Sequence, residues 1–122
     1  MIWIKREKID FSHADPRKYQ SHVYMTKGDT CTLTFTLYNK DDEEYTMEQG
    51  DMLTFTVRKD DKAEAEIVIE SGTARVVLPA EATDNMEVGT YVYDCQLTLK
   101  DGSVLTVVPI SQFTICEEVS YV

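Results

Sequence analysis

Gly89-Thr90-Tyr91-Val92-Tyr93-Asp94-Cys95-Gln96-Leu97-Thr98-Leu99-Lys100-Asp101-Gly102 alternates with a period of two. Tyr91, Tyr93, Cys95, Leu97 and Leu99 fall on one side; Asp94, Gln96, Thr98 and Lys100 fall on the other, with Val92 the exception. A strand with one face on a core and one in water reads this way. Gly89 gives a flexible entry. Asp101-Gly102 is the dipeptide favoured in type I′ hairpin turns, so the chain from Ser103 is expected to return antiparallel.

Upstream, the same unit recurs. Cys31, Leu33, Phe35 and Leu37 alternate with Thr32, Thr34 and Thr36, and threonine on a wet face keeps β-propensity high without adding apolar surface. Leu53, Phe55 and Val57 alternate with Thr54, Thr56 and Arg58; Ala65, Ile67 and Ile69 alternate with Glu64, Glu66, Val68 and Glu70; Ala74, Val76 and Leu78 share a face. Charged runs at residues 39–44 and 59–62, and Ser71-Gly72, read as turns. Pro79 ends a strand, and Ala80 to Met86 reads as a helical turn crossing the end of the domain.

Downstream, residues 104–110 (Val-Leu-Thr-Val-Val-Pro-Ile) are apolar on both faces. Such a stretch is either covered by another element or offered to a partner. Pro109 cannot donate to a ladder and marks a bulge or an edge. Six body strands, plus one or two from residues 1–26, bury their common faces only if two sheets pack together. The pattern therefore predicts an all-β, immunoglobulin-like antiparallel β-sandwich of about seven strands. It divides into an irregular arm at 1–26, the sandwich at 27–118 and a tail at 119–122. In the arm, Met1 to Lys5 reads as a short strand, Asp15-Pro16 as a turn, and Tyr19, Val23 and Tyr24 as packing on the body or forming a further strand.

A chain of 122 residues suits one domain. Its net charge of −10 argues against nucleic-acid binding and against docking on anionic membranes. The charge is uneven. The first 27 residues hold Lys5, Arg6, Lys8, Arg17, Lys18 and Lys27 against Glu7, Asp10 and Asp15, a basic arm before an acidic body. Such an arm either stays exposed or docks on its own body or on a neighbouring copy. Met1 to Ile4 is too short for the apolar region of a signal peptide, which points to a soluble protein made in a cytoplasm.

Three cysteines, Cys31, Cys95 and Cys116, lie far apart in sequence and form no C-x-x-C, which disfavours a zinc site. Cys31 and Cys95 fall on apolar strand faces, as the bridge of immunoglobulin domains does, and Tyr93 sits two residues before Cys95 like the corner tyrosine. The leaderless start and a single tryptophan, Trp3, outside the Cys31–Cys95 interval favour free thiols instead.

Catalytic chemistry finds little footing. His13 and His22 lie in the arm without a cysteine nucleophile or a G-x-S-x-G nearby, and five scattered glycines form no phosphate loop. Asp41-Asp42-Glu43-Glu44 offers carboxylates for calcium, but contiguously, as a solvated hairpin tip also would. No pair of carboxylates is placed for glycoside hydrolysis, and no exposed aromatic row is legible. The reading calls for no catalytic residues, no metal and no cofactor.

The order of motifs nonetheless resembles a known family. Gly28-Asp29 before the strand from Thr30 to Leu37, then Leu53 to Lys59, Arg75 to Thr83, Gly89 to Asp94, Asp101-Gly102 and Phe113-Thr114-Ile115 resemble the immunoglobulin-like domain at the N-terminus of phage baseplate upper proteins. The same domain occurs in short stand-alone prophage proteins of Gram-positive bacteria. The resemblance covers about residues 27–116. It implies a non-enzymatic structural module of the virion, in the tail or baseplate, made in the host bacterial cytoplasm. It further implies attachment to other tail proteins and assembly into a homo-oligomer. It names no active-site residues. The candidate contact residues are Trp3 in the arm and Val104, Leu105, Val107, Val108 and Ile110. The alternative is a secreted or surface immunoglobulin-like module that binds a host ligand or carbohydrate, a reading that a Cys31–Cys95 bridge would favour.

Overall fold

The computed structural model describes residues 2–4, 22–38 and 43–117. Its strands are β1 (Ile2–Ile4), β2 (Val23–Thr26), β3 (Cys31–Phe35), β4 (Leu37–Tyr38), β5 (Glu44–Tyr45), β6 (Met52–Arg58), β7 (Ala65–Ser71), β8 (Arg75–Leu78), β9 (Gly89–Thr98) and β10 (Val104–Cys116). A 3-10 turn, Ala80–Thr83, follows Pro79. The strands form a five-stranded sheet in the order β2-β10-β9-β6-β7, a three-stranded sheet in the order β1-β3-β8, and the small β4-β5 ribbon. The fold is an all-β sandwich, as the alternation requires.

The decisive stretch is β9, the middle strand of the larger sheet. Tyr91, Tyr93, Cys95 and Leu97 are buried, while Gln96 is exposed and Val92, Asp94 and Thr98 are half-buried. β9 runs antiparallel to both β10 and β6, which places Phe55 opposite Cys95 and Phe113 opposite Tyr91. The rings of Phe55, Tyr93 and Phe113 form the centre of the core, with centroids 5.2, 6.1 and 6.3 Å apart, in tilted and edge-on arrangements that suit aromatic quadrupoles. Leu33, Val76 and Leu78 close the core from the smaller sheet.

Lys27 to Thr30 carries the chain from β2 in the larger sheet to β3 in the smaller one, and two later links cross between the same sheets. Ser71 to Ala74 takes it from β7 to β8, and the Ala80–Thr83 turn returns it to β9. The fully buried Thr83 accepts a 2.9 Å hydrogen bond from the Gly28 amide through its Oγ1, which ties this turn to the β2–β3 connection.

Several details differ from the sequence reading. The N-terminal strands pair parallel, β1 with β3 and β2 with β10, an arrangement open to them because neither pair is joined by a tight hairpin. β2 belongs to the sheet, with Val23 fully buried, although it precedes residue 27. The turn after β9 is a loop of Lys100, Asp101 and Gly102 between the bonded pair Leu99 and Ser103, with Gly102 at φ 92°. It is a three-residue hairpin instead of a two-residue type I′ turn. Tyr91, one alternation upstream of Tyr93, donates its hydroxyl to the Glu87 carbonyl at 2.7 Å. The Asp15-Pro16 turn, Tyr19, most of the 39–44 run and the 119–122 tail lie outside the described residues.

The central ring cluster sets the stability expected of core truncation. Phe55→Ala should lower the unfolding free energy by about 3–5 kcal/mol, a large part of what a domain this size holds. Urea titration followed by circular dichroism measures the shift, and a loss below about 1 kcal/mol would contradict this placement of Phe55.

Candidate functional site

The candidate contact residues separate once β10 is followed residue by residue. Val104, Leu105 and Thr106 face Thr98, Leu97 and Gln96 in regular register. The register then slips between Thr106 and Val108, and again between Val108 and Ser111. At each slip β10 carries one residue more than β9, which is a β-bulge. The first bulge turns Val107 and Val108 inward together, at 0% and 1% exposure. These two residues are core, and the expectation that they are offered to a partner is corrected. Pro109 sits at the second bulge, where no ladder donor is needed. Leu105 is half-buried on the inner side. Val104 and Ile110 stay outside, 56% and 47% exposed. Trp3 pairs in register with Thr34, and its side chain lies outside the described residues.

Around Val104 and Ile110 the outward positions of β9 and β10 are Thr90, Val92, Asp94, Gln96 and Thr98 beside Thr106, Gln112 and Thr114. β6 adds Met52, Thr54, Thr56 and Arg58. In a chain with 28% charged residues, this face holds two charges, and they face each other: Arg58 Nη1 lies 3.7 Å from Asp94 Oδ1. Partial burial of Asp94 pushes its carboxyl above the ordinary range, against the opposing pull of Arg58. The face is thus rich in hydroxyl and amide groups, nearly uncharged, and bordered on β7 by Glu66 and Glu70.

A second arrangement escaped the sequence reading. Asp51 is 4% exposed and accepts three hydrogen bonds. Oδ2 takes the Tyr45 hydroxyl and the Glu48 amide, the latter at 2.9 Å, and Oδ1 takes the Lys100 amide at 3.0 Å. It brackets the β5–β6 connection to the β9–β10 hairpin. Gly50 must be glycine here, since φ is 97° and a Cβ would stand 3.0 Å from Lys100 Cβ. The hydrogen bonds hold the Asp51 carboxyl below its usual range, the Tyr45 contact first among them. Tyr45 is pushed up to about 12, chiefly by desolvation and then by that bond. Only the Gly50-Asp51 pair before a strand hinted at this in the sequence.

Two hollows remain. One of about 290 Å³ lies along Phe35, Leu37, Tyr45, Met47 and Ala74. The other, of about 250 Å³, lies between β2 and β3 beside Tyr24. His22 is exposed, and its ring stacks on Tyr24, while His13 lies outside the described residues. Of the acidic run, Glu43 and Glu44 are exposed, and Asp41 and Asp42 lie outside the described residues. Among the described residues, no group of three or more His, Cys, Asp and Glu side chains is placed to hold a metal ion, and no helix is long and apolar enough to cross a membrane. Cys31, Cys95 and Cys116 are all free thiols. Burial raises the pKa of Cys31 and, more strongly, that of Cys95. No family model matches the chain, and no curated protein matches its sequence.

Two measurements check these arrangements. Asp51→Ala strips three donors of their acceptor and should cost about 2 kcal/mol at pH 7. Because the folded carboxyl is more acidic than the unfolded one, that contribution is present above about pH 4 and fades as pH falls through the folded value. Tyr45 works in the opposite direction, its contribution fading as pH rises from about 10 towards 12. A wild-type to Asp51→Ala difference that stays constant from neutral to strongly acid pH would contradict the bracket. Thiol titration should count all three cysteines in denaturant, with Cys95 the slowest to react in the native protein; a count of one would mean a bridge.

Proposed function

We propose that this chain is a non-enzymatic structural protein of the tail or baseplate region of a phage or prophage, working through protein–protein contacts and assembling with further copies of itself. The observation that carries the assembly part is the nearly uncharged outer face of β9 and β10. A chain of net charge −10 repels its own copies, so self-association is least opposed where charge is scarce. Interface cores are depleted in charged residues, while a non-obligate interface as a whole is no more apolar than ordinary surface. A plane of threonines and glutamines with Val104 and Ile110 exposed fits that description. A self-complementary patch also suits a two-fold contact.

The phage assignment rests on the family resemblance. Its pieces fall on turns and core strands in order. Gly28-Asp29 leads into β3, Leu53 to Lys59 runs along β6, Arg75 to Thr83 covers β8 and the 3-10 turn, and Phe113 to Ile115 ends β10. All of these are fold-making positions, which supports a module whose work is contact instead of chemistry.

Light scattering coupled to size exclusion, from micromolar to near-millimolar protein, tests the contact. The wild type should show mass rising with concentration, and Val104→Asp with Ile110→Asp should hold the chain monomeric without lowering its melting temperature. A strict monomer over that range, or an oligomer indifferent to both substitutions, would sink the self-assembly reading.

A further inference from the structure

Among the described residues, Tyr24 is an aromatic side chain at odds with its surroundings. It stands on the outward side of the edge strand β2 and is 55% exposed. It is also held in place. Its ring stacks on His22 with centroids 4.0 Å apart and planes 19° from parallel, and His22 Nε2 lies 2.7 Å from Thr114 Oγ1 on β10. The platform is therefore built before any ligand arrives, which removes an ordering cost from binding.

Tyr24 is also one of the residues that border a hollow of about 250 Å³ between β2 and β3. Asp29 and Thr30 are exposed at its rim, Thr32 is half-buried, and Met25 and Cys31 are buried beneath. The volume is just below the usual range for drug-sized ligands, so it suits a single small ring. Among the described residues no lysine or arginine lines it. The one charged group is the Asp29 carboxylate, an acceptor with two oxygens.

The geometry points to a binding subsite for a neutral hexopyranose. Such a ring presents a face of C–H bonds, slightly positive, which packs on the negative face of an aromatic ring. Its rim carries adjacent hydroxyls that donate to the two oxygens of a carboxylate, with threonine hydroxyls as further partners. Anionic sugars are disfavoured by Asp29 and by the acidic body as a whole. This site is separate from the assembly reading and does not depend on it.

Saturation-transfer NMR on the full chain tests the subsite, with methyl β-glucopyranoside, N-acetylglucosamine and glucuronate as probes. At least one neutral probe should bind with a dissociation constant of about 1–10 mM, with its C–H protons saturated most strongly. Glucuronate should give no signal. Tyr24→Ala should weaken binding by about tenfold, and Asp29→Asn should also weaken it, both with unchanged melting temperature. Silence from both neutral probes, or equal binding by Tyr24→Ala, overturns the proposal. So does a Tyr24→Ala variant whose main change is loss of self-association in light scattering, since the ring would then belong to a protein contact.

Discussion

Everything in this molecule follows from β9 being hydrogen-bonded on both edges and buried on one face. A middle strand has no freedom of register: a slip of one residue would turn Tyr91, Tyr93, Cys95 and Leu97 to solvent and bring Asp94 and Gln96 into the core. With β9 fixed, β6 and β10 are fixed beside it, and Phe55 and Phe113 meet Tyr93. A five-stranded sheet still leaves that aromatic layer open to water. The three-stranded sheet supplies the cover, and the short links after β7 and β8 bring the chain there and back.

This constraint explains which parts of the fold are legible from residues alone. Alternation is a local signal, and β3, β6, β7, β8 and β9 lie within a residue or two of where their alternation ends. Parallel pairing is not local. Nothing in Val23-Tyr24-Met25-Thr26 says that its partner is Phe113 to Cys116, some ninety residues later. Residues 104–110 show the limit most clearly. A period-two reading assigns consecutive valines to opposite faces, so Val107-Val108 looked like an apolar stretch with two sides. A bulge breaks the period and sends both inward. Pro109 signalled the irregularity but not its consequence. The bulges and the proline also make the uncovered half of β10 a poor template for another strand, a common protection of sheet edges.

Polar features were legible in proportion to how local they are. The turn at Lys59 to Lys62 needs only Asp60, whose side chain accepts the Lys62 amide at 2.9 Å. The Asp51 bracket needs residues far apart, with Lys100 brought to it by the folding of two hairpins. In sequence, Asp51 is one of 22 acidic residues; in the fold it is a buried carboxylate whose three donors leave it no need of a ligand. The His22–Tyr24 stack sits between these cases. The i, i+2 spacing on a strand places both rings on one face, yet that spacing has meaning only once the segment is known to be a strand.

Charge supplies the last step. The acidic excess does not stabilise this fold, since exposed like charges repel; its consequence lies in where it is missing. Glu66 and Glu70 border the large sheet on β7, while the outward rows of β9 and β10 keep only Asp94, facing Arg58. The body beyond the arm carries a large acidic excess, so a second copy meets repulsion over much of it. Over this face the repulsion falls away, and contact is governed by shape, by hydroxyl and amide pairing and by the exposed side chains of Val104 and Ile110. Weak attraction of this kind produces little affinity for one pair of molecules. Repeated around a symmetric ring, where neighbours hold each copy in place, it becomes effective by raising local concentration.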